Sequence, residues 1–186
     1  MSNPASGPTV MRRISTKDHI AYVMRSLMES RPFNKITLKD LLDTSGVSRT
    51  TFYRYYKDKY DVVTEIYKEE VKKLSRDHDI SESWNSEVMG LMYNNREFLQ
   101  RAFQEKEINS LWEYVVSLTR EDCINAVRKK LGVEQLPDEY MSSIDFYCAG
   151  CLNALENWMN NGWRESPETI ARILEDNKPA RLAKVL

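Results

Sequence analysis

Apolar residues recur with helical spacing along most of the chain. The clearest case begins near the N-terminus, where apolar positions follow the i, i+3, i+4, i+7, i+8 pattern of one helical face: Ile20, Val23, Met24, Leu27 and Met28. Ser15 is placed to cap this helix, with Asp18 three residues later. Pro32 disfavours helical backbone at Arg31. The pattern therefore predicts a first helix over residues 15–30.

Two short helices follow, separated by a tight turn. Thr37 repeats the capping pattern and predicts a second helix over residues 38–45. Gly46 stands where a left-handed residue closes a helix, and Ser48 can cap a third helix over residues 49–56. Because only two residues separate the end of one helix from the cap of the next, the two helices must cross steeply. This geometry is a helix-turn-helix.

The rest of the chain is predicted to be helical too. The 186 residues include only six Gly and six Pro, too few for the many turns of a sandwich or barrel. The fold class is therefore all-α. A connector helix is predicted over residues 58–79, and further helices over residues 83–94, 96–104, 107–131, 138–161 and 167–176.

Charge divides the chain into parts with different partners. Residues 11–59 hold 11 Lys and Arg against 5 Asp and Glu, residues 60–76 hold four of each, and residues 77–186 hold 12 against 19. The net charges of +6, 0 and −7 are hidden in the chain's overall −1. The basic first part is the candidate for a polyanionic partner.

The same division gives the predicted domain organisation. Small and polar residues at the start have nothing to bury and are expected to be disordered. The predicted parts are a disordered segment at 1–10, a helix-turn-helix domain at 11–57, the connector at 58–79 and a second helical domain at 80–186.

Several classes of function find no support in the sequence. No segment has the roughly 18 apolar residues of a membrane span, and the start lacks the apolar centre of a signal peptide, so a cytoplasmic protein is expected. Cys148 and Cys151 share a helix face, which we interpret as core packing, with a thiol switch as the alternative. Neither His19 nor His78 has metal-ligand neighbours in the sequence. Without a recognised catalytic motif, we expect no enzyme activity, cofactor or metal.

The third helix offers the most informative surface. Its apolar residues, Phe52 and Tyr56, are predicted to face inward. Five residues are then left facing outward: Arg49, Thr50, Tyr53, Arg54 and Tyr55. Guanidinium and hydroxyl groups can bond base edges and phosphates, and tyrosine rings offer apolar area. This face is predicted to read DNA, and the alternative is an ordinary solvated helix surface.

This segment closely resembles the TetR family of bacterial transcriptional regulators. The resemblance covers residues 14–65 and rests on Phe33-x-x-Ile36-Thr37, on Gly46-Val47-Ser48, and on the run from Thr51 to Lys59, in which Tyr56 stands where Phe is commoner. It implies that the third helix enters the major groove, with some residues on the DNA backbone, others near bases, and Lys59 on a phosphate. The predicted DNA-binding residues are Thr37, Lys39, Arg49, Thr50, Thr51, Tyr53, Arg54, Tyr55, Lys57 and Lys59.

A later helix carries the signs of a subunit interface. Its apolar stripe is Ile144, Cys148, Cys151, Leu155 and Trp158, with small residues beside it. TetR-like proteins dimerise through their last two helices, so the resemblance implies a homodimer. The predicted interface is Ala149, Gly150, Ala154 and Trp158, and the alternative is that this helix is only protomer core. The segment 158–168 also resembles a TetR subgroup with a short C-terminal domain.

The resemblance implies a regulator that binds double-stranded operator DNA. We expect a repressor that binds a palindromic site as a homodimer and is released by a small molecule. Apolar candidates for the effector pocket are Met89, Met92, Phe98, Phe103, Trp112, Val115, Phe146 and Tyr147. One alternative is a TetR-like adaptor or activator whose C-terminal domain binds another protein, and another is a small helical enzyme or binding protein without a DNA role.

Overall fold

The computed structural model describes residues 14–75, 84–104, 106 and 109–186. Within these ranges the secondary structure consists of nine α-helices and one short 3-10 turn, without strands, which confirms the predicted all-α class. The helices are α1 Thr16–Ser30, α2 Leu38–Ser45, α3 Arg49–Tyr53, α4 Lys59–Ser75, α5 Trp84–Asn94, α6 Arg96–Ala102, α7 Leu111–Leu131, α8 Asp138–Asn160 and α9 Pro167–Asp176. None of the helices in these ranges combines the length and apolar composition needed to span a lipid bilayer.

The first helices begin at the caps that the sequence predicts. Ser15 Oγ accepts the backbone N–H of Asp18 at 3.1 Å, and Thr37 forms a reciprocal capping box with Asp40. These bonds satisfy amide groups that a helix N-terminus otherwise leaves without partners. Asp58 acts in the same way at the start of α4, where its Oδ1 accepts the backbone N–H of Asp61 at 2.8 Å.

The amino-terminal helices form a small domain around α1. This helix packs against α2 and α4, and His19 Nε2 lies 3.1 Å from the carbonyl oxygen of Ser45. The core between the helices includes Ile20, Met24 and Phe52, all of them fully buried. The contact of His19 with this carbonyl joins α1 to the end of α2.

The remaining helices form a second layer that continues the same core. In it α5 packs on α9 and α7 packs on α8, while α4 contacts both α5 and α7 and so joins the two parts. One buried cluster extends from Ile20 in α1 to Leu174 in α9. A smaller cluster lies between α7, α8 and the C-terminal segment and includes Val127, Ile144 and Leu182.

Three helix boundaries within the described ranges differ from the prediction by at least two residues. Helix α3 ends at Tyr53 rather than at residue 56, and α6 ends at Ala102 rather than at residue 104. Helix α7 begins four residues later than predicted, because Ser110 Oγ caps it by accepting the backbone N–H of Glu113 at 3.2 Å. The predicted end of the connector, at residues 76–79, lies outside the described residues.

Candidate nucleic-acid interface

The turn between α2 and α3 fixes how α3 is presented. Gly46 adopts φ 68°, a left-handed conformation that glycine enters without steric cost. Its N–H donates to Leu42 O at 2.9 Å and closes α2. Ser48 then caps α3 by accepting the backbone N–H of Thr51 at 3.2 Å. The short third helix is therefore held at both its turn and its N-terminus.

The inner side of α3 is anchored by two aromatic rings. Phe52 is fully buried, and its ring centroid lies 5.7 Å from that of Tyr56. The hydroxyl of Tyr56 donates to Lys17 O in α1 at 3.1 Å. Burial raises the pKa of this hydroxyl above its usual value, so it stays protonated and can keep donating. The helix is shorter than predicted because its last turn tightens: the N–H groups of Arg54 and Tyr55 donate to the carbonyl oxygens three residues earlier, at 3.3 and 2.9 Å.

The outer side of α3 is exposed, as the sequence predicts. Arg49, Thr50 and Arg54 are exposed, while Tyr53 and Tyr55 are 51% and 39% exposed. The Arg54 guanidinium lies 5.9 Å from the Tyr55 ring centroid. In the part of the chain that the structure describes, Arg49, Arg54 and the exposed Lys57 form no ion pair. Thr51 is half-buried, and its hydroxyl accepts a hydrogen bond from Ser48 Oγ at 2.9 Å.

The predicted residues on α2 already have partners. The Thr37 hydroxyl donates to Asp40 Oδ2 at 2.6 Å, and Lys39 Nζ donates to Asp43 Oδ2 at 2.6 Å. The bonds from Thr37 hold the pKa of Asp40 below its usual value, so a carboxylate remains at the N-terminus of α2. This negative charge acts against phosphate binding at the α2 amides.

Lys59 has a different environment from the one that the resemblance implies. Its Nζ donates to the carbonyl oxygens of Phe33 and Ile36 at 3.2 and 2.9 Å and lies 4.5 Å from the Phe33 ring centroid. The side chain is half-buried. In this structure it therefore fastens the start of α4 to the turn before α2, instead of extending toward a phosphate.

The predicted effector pocket is largely core. Met89, Met92, Phe103 and Val115 are buried in the main cluster, and three half-buried candidates pack against it: Phe98, Trp112 and Tyr147. The prediction for Phe146 is wrong, because this side chain is 76% exposed on α8 and cannot line an interior cavity of the protomer.

The predicted interface residues on α8 also differ in their exposure. Ala149 and Gly150 are exposed and Ala154 is half-buried. The prediction for Trp158 is wrong, because this side chain is 2% exposed within its own chain. Its ring stacks on Tyr93 at 6.1 Å, and its Nε1 donates to Glu165 O at 3.0 Å. The outer face of α8 is the side that carries the exposed residues Ala149 and Gly150. Phe146, rather than Trp158, is the large apolar side chain on this face.

The cysteines gather around the contact of α7 with α8. Cys148 packs in the smaller core cluster, with the half-buried Cys123 against it, and Cys151 is buried in the main cluster. The thiol contact with Cys148 lowers the pKa of Cys123, and burial raises that of Cys151 to about 11. No group of three or more His, Cys, Asp or Glu side chains within the described ranges is arranged to hold a metal ion.

Both parts of the chain match families of known regulators. Residues 24–66 match the model described as bacterial regulatory proteins, tetR family, and residues 81–177 match a tetR-type model described as transcriptional regulator C-terminal region. These two families consist of transcription regulators, and neither indicates an enzyme.

One curated relative and one solved structure are also similar. The HTH-type dhaKLM operon transcriptional activator DhaS of Lactococcus lactis subsp. lactis (strain IL1403) is 26% identical over 95 residues, which cover 50% of this chain and 51% of that protein. The alignment thus spans about half of the curated relative. The structure called dihydroxyacetone kinase operon activator DhaS superimposes with a TM-score of 0.62 at 17% identity, covering 92% of this chain and 98% of that one. This likeness shows a shared fold.

Proposed function

Because this chain belongs to the tetR family of bacterial regulatory proteins and is a DNA-binding regulator of transcription, we propose that it binds a palindromic operator as a homodimer. In this proposal each α3 enters a major groove of double-stranded DNA. Two such helices must lie about one turn of DNA apart, or ~34 Å, to contact both half-sites. As a regulator of bacterial DNA, the protein would act in the cytoplasm.

The exposed outer side of α3 is the observation that carries this proposal. Its arginines form no ion pairs in the described parts of the chain, so the guanidinium groups are available to phosphates or guanine edges. We assign Arg49, Thr50, Arg54 and Tyr55 to base edges and Tyr53 to the DNA backbone. Lys57, which follows α3, and the half-buried Thr51 within it are proposed to contact phosphates.

The predicted residues outside α3 receive smaller roles. Lys39 is exposed and can exchange Asp43 for a phosphate at little cost, because water and salt screen exposed ion pairs. Thr37 and Lys59 are proposed to position α2 and α4, since their polar groups already bond within the chain. Their contribution to DNA binding would be indirect.

The outer face of α8 supports the proposed dimer. It places the exposed ring of Phe146 beside Ala149 and Gly150, and small residues let two helices approach closely. Ile173, which is 40% exposed on the neighbouring α9, adds apolar area. We propose that residues 11–57 bind DNA, that residues 58–79 connect the two helical domains, and that residues 80–186 form the dimer and control DNA binding.

The sign of regulation has two candidates. A repressor released by a small molecule needs a site for that molecule, but most of the residues predicted to line it are packed in the core of the protomer. The names of the curated relative and the solved structure both describe activators. These observations favour the second candidate, an activator whose C-terminal domain binds another protein. A reporter fused to the regulated promoter separates the two, because loss of the gene lowers expression for an activator and raises it for a repressor.

Fluorescence anisotropy with a labelled duplex from the region upstream of the gene tests DNA binding. The wild-type Kd should rise with salt, with a slope of about 0.9 per phosphate contacted on logarithmic axes. Arg49→Ala should weaken binding roughly tenfold or more, as expected for the loss of a bidentate base contact. Arg128→Ala, at an exposed position near the end of α7, is the matched control. Equal loss in both variants, or salt-independent binding, would contradict the proposal.

A further inference from the structure

A groove between α1 and α6 has no assigned role. Its volume is about 340 Å³, and its charged and aromatic lining consists of Arg25, Glu29, Arg96, Glu97, Phe98 and Arg101. Because α1 belongs to the DNA-reading part and α6 to the second helical part, anything bound in this groove contacts both. The size is at the lower end of the range for small-molecule sites, roughly 300–1,000 Å³.

Arg101 gives the groove a donor without an acceptor. Its Nη1 is buried and has no hydrogen-bond partner among the described residues. Buried polar groups in folded proteins are nearly always bonded, and each exception calls for an explanation. An acceptor from outside the chain would complete the site.

Two further guanidinium groups line the groove, and packing holds each in place. Arg25 donates to Glu70 Oε1 at 2.9 Å and to Asn95 Oδ1 at 3.3 Å. Its guanidinium lies 4.7 Å from the Phe98 ring centroid. These two bonds use only two of the five N–H groups that a guanidinium carries. Arg25 is thus fixed in place while retaining donors for a ligand.

Arg96 is held in a similar way beside the groove. Its Nη1 donates to Tyr93 O at 3.0 Å, and its guanidinium lies 4.8 Å from the Tyr93 ring centroid. Both contacts are made by groups of its own segment, and neither is a carboxylate. The positive charge of Arg96 is therefore not neutralised by these contacts.

The acidic residues of the groove do not supply the missing acceptor for Arg101 Nη1. Glu29 and Glu97 are exposed, whereas the three arginines are half-buried. The exposed carboxylates can turn toward water, whereas the guanidinium groups of Arg25 and Arg96 are held by the contacts described above. The groove therefore presents more fixed donors than fixed acceptors.

We propose that this groove binds a small oxyanion that presents a phosphate or carboxylate group, with Arg101 as its principal ligand and Arg25 and Arg96 at its sides. The planar fork of arginine matches two oxygens of such a group, and charged hydrogen bonds of this kind are the strong ones. The site itself stands without the proposed function. An effect of the bound anion on DNA binding, transmitted because the anion contacts both α1 and α6, does rest on the proposed function.

Calorimetric titration with inorganic phosphate tests the site, with ionic strength held constant by sodium chloride. Wild-type protein should bind phosphate, and Arg101→Gln should weaken binding about tenfold or more, since a hydrogen bond between charged groups is lost. Arg128→Gln, at an exposed position on α7, should bind like wild type. Equal phosphate affinity in wild type and Arg101→Gln, or no binding by wild type, overturns the proposal.

Two further variants keep this test decisive. Arg101→Lys keeps the positive charge but loses the planar fork, so it too should bind phosphate more weakly than wild type. This variant replaces Arg101→Gln if circular dichroism shows that Arg101→Gln disrupts the fold. Arg49→Ala, on the DNA-reading face, should retain phosphate binding. If Arg49→Ala abolishes the phosphate signal, the phosphate binds at α3 and the groove proposal fails. If Arg49→Ala retains both phosphate and DNA binding, the proposed function fails and the groove stands.

Discussion

Three basic residues in or near α3 differ in how available their side chains are to DNA. Arg49 and Arg54 are exposed and form no ion pair within the described ranges. Lys59 is half-buried and donates to two backbone carbonyls. The sequence places all three near DNA through a family resemblance. Only the fold distinguishes them, because the carbonyls of Phe33 and Ile36 come from another element.

The cysteines give a residue-scale prediction. Cys123 is half-buried with a lowered pKa. The thiol contact with Cys123, together with burial, raises the pKa of Cys148, and burial raises that of Cys151. Because the thiolate is the reactive form, Cys123 should be alkylated first by iodoacetamide near pH 8. Peptide mass spectrometry at short times measures the order. In urea the three alkylation rates should converge. If Cys148 or Cys151 is labelled faster than Cys123 in the folded protein, the thiols do not have the environments described above.

At the scale of elements, α3 depends strongly on its cap because it has only five residues. Ser48→Ala removes the acceptor for the Thr51 N–H and should lower the free energy of unfolding by about 1 kcal/mol. Urea denaturation followed by far-ultraviolet circular dichroism measures this loss. Ser26→Ala, at an exposed position inside α1, should cause no comparable loss. If both variants lose the same stability, the cap is not what holds α3.

Helix starts could be read from the sequence because capping is local. Ser15, Thr37 and Ser48 each bond an amide three residues away, so a four-residue pattern contains the whole interaction. Ser110 uses the same pattern with Glu113, so the start of α7 is also encoded within four residues.

Long-range packing was harder to predict. Both Phe146 and Trp158 lie on α8, and periodicity alone could not tell which side of the helix meets α5 and which is exposed. Trp158 is buried because Tyr93 and Trp163 approach it from other segments. The groove at Arg101 likewise depends on α1 meeting α6, and no signal in the sequence indicates that contact.

At the scale of the whole molecule, the proposed dimer buries the outer face of α8. Phe146→Glu should shift sedimentation equilibrium toward monomer. A two-fold interface loses two buried rings at about 1.5–3 kcal/mol each, so the dissociation constant should rise roughly a hundredfold or more. Val133→Glu, an exposed apolar position after α7, is the control. An unchanged dimer in Phe146→Glu would place the interface elsewhere.

The central claim joins these scales, because it requires two exposed α3 helices, presented together, to occupy two major grooves. Dimethyl sulfate footprinting tests it directly on a duplex that the protein selects from a random pool, since this reagent methylates guanine N7 in the major groove. The account predicts two protected patches about 10 base pairs apart that are lost with Arg49→Ala. A single patch, or guanines that stay fully reactive in the bound complex, would contradict it.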